Sequence, residues 1–399
     1  MVVPPTSVTM PKSLIGALSA VALLAGCSSG VDVSPPPEPS SRVVKAATAV
    51  PQAPPPMPAA PVCGDPATAV AAMSTRDKLA QLLMVGVTGA ADARAVVDTH
   101  RVGGVMVGSW TDLSMLSNGS LADIAATAAP LPLAVSVDEE GGRVSRLSSI
   151  IGTQPAPRVL AQTRSADEVY QIALDRGRKM RGLGITVDFA PVVDVTDASA
   201  SSVIGDRAFG SDPTTVTEFA GAYARGLREA GVLPVLKHFP GHGSASGDSH
   251  TTGVTTPPLD QLKAVDLVPY QSLTTQAPVG VMVGHMTVPG LTGSEPASLS
   301  PQAYGLLRSG DYGGPPFNGP IFTDDLSGMR AISDRFGVAD AVLRSLQAGA
   351  DVALWLTTAE VPAVLERLES AVESGELSMS YVDGAVMRIA AMKGRSPSC

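Results

Sequence analysis

The stretch Lys237 to His250, KHFPGHGSASGDSH, holds three of the five histidines of a 399-residue chain. Lys237 and Asp248 lie in it too. Packing does not call for such a set, so the stretch could bind a metal, cradle an anion or move a proton. Zinc ligation would use His238, His242, His250 and Asp248. The H-x3-H-x7-H spacing is unlike the histidine pair that one helix face offers to zinc, and Lys237 would have to be kept out of the coordination sphere. Proton transfer asks for less. In DSH a bend brings the Asp248 carboxylate against the His250 imidazole, which orients the ring and favours its charged form. The small residues of GSASG would let that pair swing over a substrate. The same pair also fits a plain structural hydrogen bond. A second centre lies in IFTDDLSGM, where a carboxylate at a strand end can act as a nucleophile while its neighbour caps the following helix. Asp324 toward the substrate and Asp325 structural is the reading that satisfies both.

These residues need a frame. Eight short apolar runs recur along the chain: 79–87, 102–109, 131–138, 184–195, 232–238, 279–286, 319–325 and 351–356. Several are continuous and valine-rich, as strands buried on both faces are. The first fits a helix equally well. Between the runs lie helical patterns such as DPTTVTEFAGAYARGLREAG, with Asp212 as N-cap and Gly231 as stop. The alternation predicts an α/β fold, a single (β/α)8 TIM barrel, with a doubly wound open sheet as the alternative. A barrel puts its active residues at the C-terminal ends of the strands. Asp138 ends the third run, Lys237 and His238 the fifth, His285 the sixth, and Asp324 and Asp325 the seventh.

VDEEGGRVSRL, GDRAFGSD, KHFPGHGSASGDSH and IFTDDLSGM, in that order, resemble the signatures of the glycoside hydrolase family 3 β-N-acetylglucosaminidases, the NagZ-like branch. The likeness runs over residues 70–395. It implies a single barrel, and a chain that ends too soon for the sandwich domain many members of the wider family carry. It also implies that Asp324 attacks the anomeric carbon to form a glycosyl-enzyme, and that His250 is the general acid/base with Asp248 as its partner. Asp138, Arg146, Arg207, Lys237 and His238 match sugar-binding positions. Plainer roles stand beside these: Arg207 as an ion pair to the nucleophile loop, Arg146 as a helix-surface charge, Lys237 as a neutraliser of carboxylates. Glu140, Gly141, Gly142 and His242 read as loop architecture. His285 reads equally as pocket floor or as structure. Two departures are TDDL in place of the common SDDL, and an extra residue in DDLSGM that bears on leaving-group preference.

Lys12 followed by SLIGALSAVALLAGC is a secretory signal, too short for a typical membrane span. LAGC resembles the bacterial lipobox. That implies cleavage after residue 26, lipid on Cys27 and attachment to the cell membrane; an ordinary signal peptide is the plainer reading. Residues 27–62 are rich in Pro, Ala and Ser and form a spacer. Residues 63–399 make the barrel. Cys63 and Cys399 bracket it, and an exported chain favours a disulfide between them over two free thiols. The net charge of −9 without a basic cluster argues against nucleic acid. No metal and no organic cofactor is expected. The expected partners are GlcNAc-containing cell-wall saccharides and muropeptides, acted on by a monomer that removes terminal β-linked N-acetylglucosamine. Phosphorolysis, a β-glucosidase, and a non-catalytic muropeptide-binding lipoprotein are the alternatives.

Overall fold

A computed structural model of the chain describes residues 70–128, 130–247 and 253–393. The signal, the spacer, Cys27, Cys63, Cys399, Asp248 and His250 lie outside the described residues. The strands, in chain order, are β1 Leu83–Val87, β2 Gly104–Val107, β3 Ala134–Val137, β4 Val187–Asp188, β5 Leu233–Phe239, β6 Val254–Thr255, β7 Gly280–Val283, β8 Met286–Thr287, β9 Ile321–Thr323 and β10 Ala353–Trp355. Eight of them form one parallel sheet in the order β10-β1-β2-β3-β4-β5-β7-β9, while β6 pairs only with β8. The ends of that order meet: Phe322 bridges Val352, and the Thr323 amide donates to the Val352 carbonyl at 3.0 Å. The sheet is therefore a closed (β/α)8 barrel, and all eight apolar runs supply its strands. Every residue of the eight strands is buried, as the continuous valine-rich runs require.

Two runs divide in ways their composition hid. Residues 79–81 of the first end a helix, Thr75–Gln81, capped by the Ser74 hydroxyl, and β1 begins only at Leu83. The fourth run, 184–195, keeps just two residues in the ladder. Pro191 has no amide to donate, so pairing lapses there and resumes as a single Val192–Lys237 bridge. The chain beyond carries Asp194 to the barrel mouth. The helix expected after Asp212 runs Pro213–Glu229, with the Asp212 carboxylate accepting from Thr215 at 2.8 Å. Among the described residues, no helix is long and apolar enough to cross a membrane.

Behind the closure of the barrel sits a buried carboxylate. Asp351 accepts from Arg308 at 2.6 Å, from Arg388 of the last helix at 2.8 Å, and from the Ile321 amide at 2.8 Å. Thr323, the hydroxyl residue before Asp324, accepts from the Leu354 amide at 3.0 Å and is fully buried. The threonine in TDDL thus fastens β9 to β10.

Candidate active site

The C-terminal ends of the strands surround a cavity of about 380 Å³ lined by Asp138, Glu140, Arg146, Arg207, Lys237, His238, His242 and Asp324 among others. Every sequence-predicted site residue that lies among the described residues is in this lining. They come from β3, β5, β9 and two loops, so tertiary structure brings together residues separated by up to 186 positions.

Lys237 and His238 are adjacent on β5 and would point to opposite faces of a regular strand. The pairing of β5 with β7 shifts register between Leu236 and Phe239, and both side chains reach the cavity. The Lys237 ammonium donates to Asp138 Oδ1 and to Glu140 Oε1, each at 2.6 Å. Burial alone would pull the lysine's pKa down, but those two carboxylates outweigh it and hold the group charged. Arg207 grips Glu140 in a fork, Nε to Oε2 at 2.7 Å and Nη2 to Oε1 at 2.8 Å. Glu140 is buried yet its pKa is driven far below the usual range, because Arg207 and Lys237 overcome the cost of burial.

This overturns one expectation. Glu140 is not mere loop architecture; it is the shared counter-charge of Lys237 and Arg207. Arg207 pairs with it and not with the nucleophile loop. Glu139 shapes the loop instead. Its fully buried carboxylate accepts from the amides of Arg146 and Leu147 at 2.7 Å and from Arg176 at 2.5 Å. The signal was present in DEEGGR. Two glycines in the left-handed region, Gly141 at φ 94° and Gly142 at φ 57°, turn the chain so sharply that both glutamates fold inward. Arg143, also unforeseen, ties this loop to the next by donating to Asp206 at 2.9 Å and to the Ser202 carbonyl at 2.6 Å. Arg146 lines the cavity and its guanidinium makes no hydrogen bond or ion pair with the described residues.

His238 is oriented from behind. Its Nδ1 donates to Asp194 Oδ2 at 2.7 Å, and its Nε2 faces Arg207 Nη2 at 3.4 Å. Asp194 also accepts from the His242 amide at 2.7 Å. The backbone of His242 is therefore loop architecture, as expected, while its ring stands in the cavity wall against His238, centroids 5.9 Å apart. Burial pushes the His242 pKa down.

Asp324 extends from β9 into the same cavity. Burial raises its pKa, but the imidazoles of His285 and His238, the Asp325 amide and Lys237 together bring it down to about 2. Asp325 turns the other way: it accepts from Ser327 N and Oγ at 2.8 and 2.7 Å and from Gly328 N at 2.8 Å, closing the turn after β9. The extra residue in DDLSGM belongs to that turn. A Cβ on Gly328 would stand 2.6 Å from Asp325 Oδ2, so a glycine is what the turn accepts. His285 lies behind Asp324 and is not in the cavity lining. It is buried, with Nε2 at 2.7 Å from the Asp325 carbonyl and Nδ1 at 2.6 Å from Ser298 Oγ.

The loop leading to Asp248 and His250 is held more tightly than its small residues suggest. Ser244 Oγ donates to Asp266 Oδ2 at 3.1 Å, and Ser246 forms an antiparallel bridge with Thr255. GSASG is therefore not free hinge material: Ser244, Ala245 and Ser246 are each bonded to neighbouring backbone or side chains. No group of three His, Cys, Asp or Glu able to hold a metal occurs among the described residues.

Residues 74–392 match the glycosyl hydrolase family 3 N terminal domain. The chain is 64% identical over 391 residues to the beta-hexosaminidase LpqI of Mycobacterium tuberculosis, covering 98% of this chain and 99% of that protein. It is also similar to the crystal structure of a glycosyl hydrolase of the same family from Mycobacterium smegmatis, with 76% identity, a TM-score of 0.81, and coverage of 81% of this chain and 98% of that one. A family 3 beta-N-acetylglucosaminidase from a Paenibacillus species aligns with a TM-score of 0.76 at 33% identity, over 82% of this chain and 63% of that one.

Proposed function

Since the chain belongs to glycosyl hydrolase family 3 and is a β-hexosaminidase-type hydrolase, we propose that it removes terminal β-linked N-acetylglucosamine from cell-wall fragments with retention of configuration. The observation that carries this reading is Asp324: a carboxylate kept ionised inside the cavity, beside Lys237, His238 and Arg207. A group that is both ionised and partly desolvated is a competent nucleophile toward an anomeric carbon.

In the first step an Asp324 oxygen bonds to the anomeric carbon as the bond to the leaving oxygen breaks. His250, with Asp248 as its dyad partner in the proposed mechanism, gives that oxygen its proton. In the second, neutral His250 takes a proton from water, the water oxygen bonds to the same carbon, and Asp324 departs as a carboxylate. Two displacements on one carbon give net retention. Asp138, Lys237, His238, Arg207 and Arg146 bind the sugar hydroxyls and the acetamido group by charge-assisted hydrogen bonds. Arg146, without a partner among the described residues, is the guanidinium with most donors to offer. The barrel works outside the cytoplasm, held at the membrane by lipid on Cys27 and set off from it by residues 28–62.

Replacement of Asp324 by Gly tests the mechanism with a nitrophenyl β-N-acetylglucosaminide. Turnover is expected to fall by at least about a thousandfold. Azide should then restore it and yield the α-glycosyl azide, since a small anion in the vacated space attacks once, with inversion. Undiminished turnover without azide would remove Asp324 from the chemistry.

A further inference from the structure

Among the described residues, three large apolar side chains are exposed, and Trp110 at 41% is the aromatic one. Its place follows from strand register. Val107 on β2 pairs with Val137 on β3, so the next residues, Gly108 and Asp138, are neighbours roughly one strand spacing, about 5 Å, apart. Residues in register on parallel strands face the same way. Asp138 faces the cavity, so the missing side chain of Gly108 would face it too. A Cβ built on Gly108 falls 2.3 Å from Trp110 Cη2 and 2.5 Å from Cζ2 and Cζ3. The indole thus lies over Gly108 at the barrel mouth, in the space any other residue's side chain would fill.

The ring's support is rigid. Gly108 N donates to Thr111 Oγ1 at 3.0 Å, and that hydroxyl donates to the Val87 carbonyl at 2.6 Å. The Asp112 amide donates to the Thr88 carbonyl at 2.9 Å. A tight turn therefore holds the indole against the backbone at Gly108 while leaving it partly exposed to solvent.

We propose that Trp110 is a saccharide-stacking platform on the rim of the cavity, which takes the sugar unit joined to the one being cleaved. The inference rests on the β-N-acetylglucosaminidase reading and extends it to the leaving group. An exo-acting site encloses the terminal sugar, so the unit beyond the scissile bond must lie on the rim. A pyranose ring presents flat C–H faces of partial positive charge, complementary to the negative face of an indole. A protein partner fits less well. One aromatic offers about 150–250 Å², far short of the ~800 Å² per side that a stable interface buries.

The test compares Trp110→Ala, Trp110→Phe and wild type on two substrates that share the terminal sugar: methyl β-N-acetylglucosaminide and the β-1,4-linked N-acetylglucosamine disaccharide. For Trp110→Ala, kcat/KM on the disaccharide is expected to fall about tenfold and on the methyl glycoside by less than about twofold, with Trp110→Phe keeping most of the activity. Equal losses on both substrates, or no loss on either, would overturn the proposal. Fluorescence gives a readout independent of turnover, because Trp355, the other of the chain's two tryptophans, is fully buried. In an Asp324→Asn background the disaccharide should quench emission while free N-acetylglucosamine leaves it unchanged; no difference between them overturns the platform. If wild type cleaves neither substrate, the hexosaminidase reading fails and the titration still decides the platform. If wild type cleaves both and Trp110→Ala does not discriminate, the platform alone fails.

Discussion

Asp324 stays ionised because its neighbours outbid burial; Asp266, one loop away, shows the opposite outcome. Its carboxyl is buried beside Asp194 and under Gly241, with the Ser244 hydroxyl as its hydrogen-bonded side-chain partner. Burial, then repulsion from Asp194, raise its pKa from 3.8 to about 7. The stability consequence has a definite sign. Between those two values the folded protein holds a proton that the unfolded chain has released, so the contribution is complete below about pH 4 and is lost as pH rises through about 7. Asp266→Asn should therefore flatten the decline of thermal midpoint between about pH 4 and 7, by roughly 1–2 °C for each kcal/mol no longer lost. A variant whose midpoint falls as steeply as wild type would show that the carboxyl does not titrate there. Residue types alone marked Asp138, Lys237, His238 and Asp324. They did not mark Asp266, Asp194 or Glu140, because a carboxylate's role here depends on which charges and how much water surround it.

At the scale of elements, the loop that starts at His238 is anchored before it reaches Asp248. The Asp194 carboxylate holds the His242 amide, and Gly243 lies against Val195 so closely that a Cβ there would sit 2.2 Å from the Val195 carbonyl oxygen. Backbone cannot yield as a side-chain tip can, so Gly243→Ala must displace the loop. The expected cost is about 1–3 kcal/mol of stability, read as a shift in denaturant midpoint. A larger effect is expected on kcat, a loss of tenfold or more, because a displacement of ~1 Å at an acid/base group can cost about a hundredfold. Unchanged kcat at the lowered stability would separate this anchor from the chemistry. The glycines of KHFPGHG were legible as a turn. That one of them is wedged against the segment after β4 was not, since the partner lies 48 residues earlier.

The whole molecule joins a barrel to a long N-terminal segment. Within the barrel, Asp351 ties Arg308, Arg388 and β9 together at the N-terminal ends of the closing strands, so the last helix helps fasten the end of the barrel opposite the mouth. The proposed task of the segment before it is to keep the barrel at the membrane. Cys27→Ala should move the enzyme from the membrane fraction into the soluble fraction of a cell extract while its kcat/KM stays within about twofold. Persistence in the membrane fraction would place the attachment elsewhere.

The order of the valine-rich runs determined a parallel α/β sheet buried on both faces, because such strands spaced by amphipathic helices need cover on each side; its closure into a barrel was decided where Phe322 meets Val352. The strand-end positions of Asp138, Lys237, His238 and Asp324 determined where the cavity would be and which residues would line it. Tertiary structure decided the rest. Glu140 became the partner of Lys237 and Arg207 through the turn at Gly141 and Gly142, and Lys237 and His238 came to share one cavity through a register shift. Asp325 was drawn into the turn after β9, with its carbonyl against the buried His285. Trp110 came to lie on the rim because the residue under its ring is a glycine. Charge state, side-chain direction and exposure depend on neighbours distant in the chain, and spacing along one sequence carries no direct record of them.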